Sequence, residues 1–155
     1  MKTTPTIISG LRSPYEQVGG LVHFGRMLDK IRLHRAEKLP ADWVASKGLE
    51  NGFDGRCCRF LNIAYADLEV ETLNRNTDEE LLAWAFERGR RPSDEEIEHW
   101  NAFLMKMGWR DKYRERLDFR LQEVGLPLGT VLTMFDFIDL DEGRPPRWPK
   151  PDLRG

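Results

Sequence analysis

Asp29 and Arg32 stand three residues apart in the stretch Leu21 to Pro40, LVHFGRMLDKIRLHRAEKLP, one helical turn from each other and within reach of an ion pair. Arg26 and Lys30 add two cations to the same stretch. Asp54 and Arg56 follow in a glycine-rich segment, GLENGFDG, that delivers Arg56-Cys57-Cys58-Arg59 into a short helix. Side chains of these types converge where a phosphate or carboxylate is held. Arginine offers a planar fork to an oxyanion, and the backbone N–H groups of Gly52 to Arg56 at a helix start add the positive end of the dipole. The same six residues, Arg26, Asp29, Lys30, Arg32, Asp54 and Arg56, can instead neutralise one another and pin the loop to the helix. Internal pairing is the commoner use of such clusters and is the favoured reading, with ligand binding kept beside it.

No catalytic residue is assigned. Cys57 is the one candidate nucleophile, because a preceding arginine and a helix N-terminus both favour a thiolate, but a base would have to come from His23, His34 or His99 through tertiary contact. The alternative use of two adjacent thiols is as small buried hydrophobes. No cofactor is expected and no metal: the chain has no C-x-x-C and no H-E-x-x-H. Glu96-Ile97-Glu98-His99 is half of a di-iron pattern, and Asp139-Leu140-Asp141-Glu142-Gly143 misses the terminal glutamate of a calcium loop, so both read as solvated carboxylates.

The elements that must position these residues are helical. Placing residues 100° apart sets Leu21, Phe24, Met27, Leu28 and Ile31 on one face of a main helix over about Leu21 to Ala36, with Arg26 and Lys30 pointing away and Arg35 inside the apolar arc. Gly19-Gly20 reads as the break before it. A short helix is expected over Asp42 to Ser46, another from Arg56, and a third through Tyr65, Leu68 and Leu73 to Asn74. Thr77-Asp78-Glu79-Glu80 and Ser93-Asp94-Glu95-Glu96 are capping boxes, with Gly89 and Gly108 as the stops of the helices they open. A further helix runs from Asp111 to Val124. Residues 131–140 suit helix or strand and are read as helix, since no other segment offers a strand to pair with. The tail from Gly143 has four prolines and is expected to be irregular. The class is all-α, a single domain of about five to seven helices over 1–142 with a Pro-rich tail over 143–155.

Arg12-Ser13-Pro14, Gly19-Gly20 and Arg26-Met27-Leu28-Asp29-Lys30 together resemble the bacterial domain-of-unknown-function family numbered 5069, as do Arg59-Phe60-Leu61-Asn62-Ile63, Thr77 to Trp84 and, more loosely, Ser93 to Asn101. Departures are Gly25, where the family commonly has proline, and a long C-terminal extension. The resemblance implies a small cytoplasmic bacterial protein and supplies no reaction.

With 24 basic and 26 acidic residues the net charge is −2, so no global field collects nucleic acid or an anionic membrane, and no apolar run spans a bilayer. The helix opened by Ser93 would present acidic residues to DNA, so no nucleic acid is expected. Two cysteines without another partner and no secretory signal point to the cytoplasm. The function expected is a binding module for a small anionic ligand or a protein partner, with its recognition surface where the main helix meets Gly52 to Arg56. The alternative is a small cofactor-free enzyme using Cys57 or an Asp29/Asp54 carboxylate with adjacent arginines. The oligomeric state is open, with a homodimer as one option.

Overall fold

The computed structural model describes residues 7–148. In chain order its elements are β1 (Gln17–Val18), β2 (Leu21–Val22), α1 (Phe24–Arg35), α2 (Ala41–Val44), α3 (Phe53–Leu61), α4 (Tyr65–Asn74), α5 (Asp78–Arg88), α6 (Asp94–Lys106), α7 (Arg114–Glu123) and α8 (Met134–Asp141). The described residues are mostly helical, as the periodicity predicts, but with eight helices where five to seven were expected and with a small antiparallel sheet that the all-α reading lacked. Contacts group the described residues into two units, Gly10–His99 and a second made of residues 100–148 with residues 7–9.

The sheet corrects the reading of the first helix. Gln17 faces Val22 and Val18 faces Leu21, so Gly19-Gly20 is the turn of a tight hairpin and not a broken helix. Both glycines have positive φ, +57° and +82°, as a two-residue turn matched to strand twist requires. Leu21 therefore belongs to a strand, and α1 begins only at Phe24. His23 bridges the two elements in the left-handed region at φ 69°. Its N–H donates to the Pro14 carbonyl at 2.8 Å, and its own carbonyl accepts from Met27 at 3.0 Å.

Every residue of α1 from Phe24 to Ile31 is buried. Arg26 and Lys30, which helical geometry turns away from the apolar face, thus do not reach solvent. Arg35, expected within the apolar arc, is exposed, because the last turn of α1 borders an open groove there. Asp54 and Arg56 lie within α3, which starts at Phe53 with Gly52 as its N-cap, so the glycine-rich loop is shorter than its sequence suggests. Both capping boxes bond as expected at their first hydroxyl. Thr77 Oγ1 accepts from Glu80 N–H, and Ser93 and Glu96 bond reciprocally, each at 3.1 Å.

In the second unit Leu117, Leu121 and Phe137 form a core against which Val124, Leu126, Val131 and Met134 pack. Residues 131–140 resolve as helix from Met134, capped by Thr133, whose hydroxyl accepts from Asp136 N–H. Asp139 and Glu142 are not solvated. Both are buried, and Arg144 pairs with them at 3.1 and 2.7 Å. Local sequence offered no sign of this, because the arginine that neutralises them comes from the Pro-rich stretch after the helix. The tail beyond Trp148 lies outside the described residues.

Candidate functional site

Of the six residues expected to form one charged cluster, Arg26, Asp29, Lys30, Arg32 and Asp54 divide between two. The first centres on Arg12, a residue that charge spacing along α1 did not single out. Its Nε and Nη2 reach Asp29 at 2.8 and 3.0 Å, its backbone N–H donates to the same carboxylate at 3.0 Å, and its Nη1 reaches Asp78 at 2.7 Å. Arg32 closes the ring, with Nη1 at 2.7 Å from Asp78 and 4.0 Å from Asp29. Two arginines thus face two carboxylates. Asp78 would be raised by its partial burial, but the bonds from Arg12 and Arg32 outweigh this and hold it below its ordinary range.

Asp78 is also the first residue of α5, so the network ties the start of that helix to α1 and to the segment before the hairpin. Gly25 lets the Arg12 guanidinium lie flat on α1, because a Cβ there would sit 2.7 Å from its Cζ. Arg26 completes the lock from below by donating to the Arg12 carbonyl at 3.0 Å. The legible signal for Arg12 was its place in the R-S-P string, and for Asp78 its acidity at a helix start. Neither pointed to the other.

The second cluster is buried. Asp54 accepts from three directions: His23 Nε2 lies 2.7 Å from Oδ1, Lys30 Nζ 2.7 Å from Oδ2, and the Gly48 N–H 2.9 Å from Oδ2. Burial alone would raise the Asp54 carboxyl. The Lys30 ammonium, the His23 hydrogen bond and the Gly48 amide outweigh it and hold the group well below the carboxylate range. Since Asp54 is ionised, Nε2 must carry the proton that His23 donates to it. Burial drives the His23 imidazole below its ordinary value, and Lys30 and Arg26 add to that push against the pull of Asp54. His23 is accordingly neutral at neutral pH, and the cluster holds one ammonium against one carboxylate.

Acid should therefore destabilise the fold in two stages. His23 binds its proton more readily in the unfolded chain, so its contribution is complete above about pH 6.5 and is lost as pH falls below that, at up to about 1.4 kcal/mol per pH unit. Asp54 and Asp78 bind protons more readily when unfolded as well, so their contributions are lost below about pH 4. Urea unfolding at pH 7, 6 and 5 checks the first stage. His23→Asn, which tolerates the left-handed backbone, should be less stable at pH 7 but flatter across that window.

Cys57 and Cys58 are unbridged and buried in α3 beside this cluster. Burial pushes the Cys58 thiol up to about 12, and burial followed by the neighbouring Cys58 and Asp54 charges pushes Cys57 well above its ordinary value. Arg56 is half-exposed one residue away, and its charge does not reverse that shift. The mouth of α3 is also partly filled. Asp54 sits in its first turn, and the Gly55 N–H donates to the Leu49 carbonyl at 3.1 Å. Among the described residues no group of three His, Cys, Asp or Glu side chains is placed to hold a metal ion, and no helix is long and apolar enough to cross a membrane.

Fold and site define a mostly helical protein whose first helix is locked on two sides by ion pairs. The family described as Domain of unknown function (DUF5069) matches residues 8–144, and the chain belongs to it. The match takes in α7 and α8, so the extension beyond the family begins only after Arg144. No curated protein matches the chain.

Proposed function

We propose that this protein is a binding module for a protein partner, which it holds as an amphipathic segment in a groove of its first unit. The observation that carries the reading is a groove of about 830 Å³ between the end of α1, α2 and α4, floored by Ile31, Leu39, Val44, Val70 and Leu73. Val70 and Leu73 are 58% and 46% exposed, and of the apolar residues of α4 only Leu68 is buried, so Leu73 does not join the inward face its spacing predicts. The rim is balanced: Arg35 and Glu37 lie on it, and Lys47 is paired with Glu69. A neutral rim over an apolar floor suits the apolar face of a partner helix better than a small anion. The paired clusters around Arg12 and Asp54 then act as the rigid frame behind the groove.

A photo-crosslinking side chain at Val70 tests the reading in cells. One dominant adduct is expected, lost in Leu73→Asp without a change in melting temperature. An adduct of twice the chain mass would identify the partner as a second copy. Diffuse adducts matching those from a control position at Glu79 would overturn the reading.

The anion-site reading at Gly52 to Arg56 is less well supported, since Asp54 and Leu49 already occupy the mouth of α3. The enzyme reading draws support from one observation, the buried His23–Asp54 hydrogen bond, an arrangement that orients imidazoles in catalysis. With Cys57 as nucleophile, rather than an Asp29 or Asp54 carboxylate, it predicts a reactive thiol, whereas a buried neutral thiol should react slowly. Labelling of the native protein with iodoacetamide at pH 7.5 is expected to leave both cysteines largely unmodified until urea is added; one fast-labelling cysteine would move the enzyme ahead of the binding module.

A further inference from the structure

The second unit carries a surface unrelated to either cluster or to the groove. Trp109, Tyr113 and Phe119 each lie under a cation from their own neighbourhood. Arg110 Cζ is 5.1 Å from the Trp109 ring centre, Lys112 Nζ 5.3 Å from Tyr113 and Arg116 Cζ 5.5 Å from Phe119. Trp109 and Phe119 are 44% and 49% exposed, and all three cations are exposed too. Tyr113 is held edge-on by Phe103 of α6 at 6.3 Å.

Arg116 and Phe119 lie about 60° apart on α7, on the side away from the buried Leu117 and Leu121, and Lys112 and Tyr113 immediately precede the helix. Trp109 and Arg110 lie in the turn just before it. Arg110 adopts φ 53°, a left-handed backbone that a β-carbon residue enters only at a cost.

The acidic residues of the same stretch are largely spent on other groups. Asp118 pairs with Arg114 and Glu123 with Arg120, each at 2.8 Å, and Asp111 accepts the N–H groups of Gly108 and Tyr113. Arg110, Lys112 and Arg116 form no ion pair with a carboxylate among the described residues, although Asp111 and Glu115 are their neighbours in the chain. The result is three aromatic rings, two of them exposed, each with an exposed cation over it that makes no ion pair among the described residues.

The geometry points to a single-stranded nucleic acid as the ligand of this surface, its bases stacking on Trp109, Phe119 and the guanidinium planes while its phosphates meet Arg110, Lys112 and Arg116. Only a single strand presents π-faces and negative charges in alternation along one chain; a duplex hides its base faces. An anionic bilayer would favour bare apolar rings over cation-covered ones. An acidic protein segment offers the charge without the stacking. The net charge of −2 and the acidic start of α6 argued against nucleic acid for the whole chain, yet neither bears on this local array. Its ring-and-cation pairing emerges only once α7 and the turn before it are folded.

Fluorescence anisotropy of a labelled single-stranded RNA of about 12 nucleotides, titrated with the full chain, tests the assignment. Saturable binding is expected, weakening roughly 40-fold between about 25 and about 150 mM salt, the slope for three phosphate contacts on a single strand. Arg110→Glu with Lys112→Glu and Arg116→Glu should abolish binding. Trp109→Ala with Phe119→Ala should weaken it about tenfold or more with the salt slope kept. If the ring variants fail to melt as the parent does, Arg110→Lys with Arg116→Lys keeps the charge, removes the stacking planes and should weaken binding severalfold.

Three outcomes would overturn the assignment. The first is no binding at low salt up to about 100 μM protein, a limit weaker than ordinary non-specific contacts give. The second is binding indifferent to the charge variant or to both sets that remove stacking. The third is displacement of the RNA by polyglutamate, or binding to anionic vesicles, with the same sensitivity to the variants.

Discussion

Asp54→Asn lowers the unfolding free energy by about 3–5 kcal/mol, the range for removing one partner of a buried ion pair. The size follows from what the carboxylate holds. It receives the Lys30 ammonium, the His23 ring and the Gly48 amide within 2.7–2.9 Å, at a position almost closed to solvent. Asparagine keeps the shape and can still accept from Gly48, but its neutral amide faces a buried ammonium without countering its charge. For a domain whose total stability is about 5–15 kcal/mol, that is a large part of the whole.

Lys30→Met in the Asp54→Asn background removes the stranded charge and should recover part of the loss. The double variant should thus be more stable than Asp54→Asn alone, with a coupling of about 1–3 kcal/mol by urea unfolding. If the second substitution adds to the first, Lys30 and Asp54 are not a pair in the folded protein. The same experiment separates a structural Asp54 from a ligand-binding one, because a residue kept for a ligand would cost little stability when lost.

Gly55→Ala is expected to cost at least about 2 kcal/mol, against the gain of about 1 kcal/mol that alanine normally brings to a helix interior. The reversal comes from the backbone around it. A Cβ at Gly55 would lie 2.3 Å from the Glu50 carbonyl oxygen and 2.5 Å from that of Leu49. Neither oxygen can step aside cheaply, since Leu49 accepts from both Gly52 and Gly55 N–H and Glu50 from the Arg59 side chain. Pushing this loop out also moves Gly48, whose amide completes the Asp54 cluster. Urea unfolding of Gly55→Ala should therefore show a lower midpoint at unchanged slope. A neutral or stabilising result would mean that the loop does not pack on α3 as closely as described.

This glycine shows where reading the sequence went astray for a physical reason. Gly-rich spacing before a helix is the pattern of an anion cradle, and equally that of a loop which must lie against helix backbone. The two differ only in what occupies the space beside the glycine, which is set by residues folded back from Leu49 and Glu50. Gly19-Gly20 was ambiguous in the same way. Two glycines break a helix or turn a hairpin, and the choice rests on whether Val18 and Leu21 find each other across the turn.

The amino-acid sequence by itself determined the helices whose ends are chemically marked. Thr77, Ser93, Gly89, Gly108 and Gly125 act through hydrogen bonds and backbone freedom within a few residues, so α5 to α7 were legible in it, as was the family to which residues 8–144 belong. The involvement of Asp29, Lys30, Arg32 and Asp54 in ion pairs was legible too, because charge crowded along an apolar helix must be compensated. Their partners were not. Arg12 meets Asp78 across 66 positions of chain and His23 meets Asp54 across 31, and pairings at such separations are fixed by how α1, α3 and α5 pack. Tertiary structure alone decided that one crowded helix would be locked by two separate networks, because burial on every side leaves each charge to the carboxylate that its own face happens to meet.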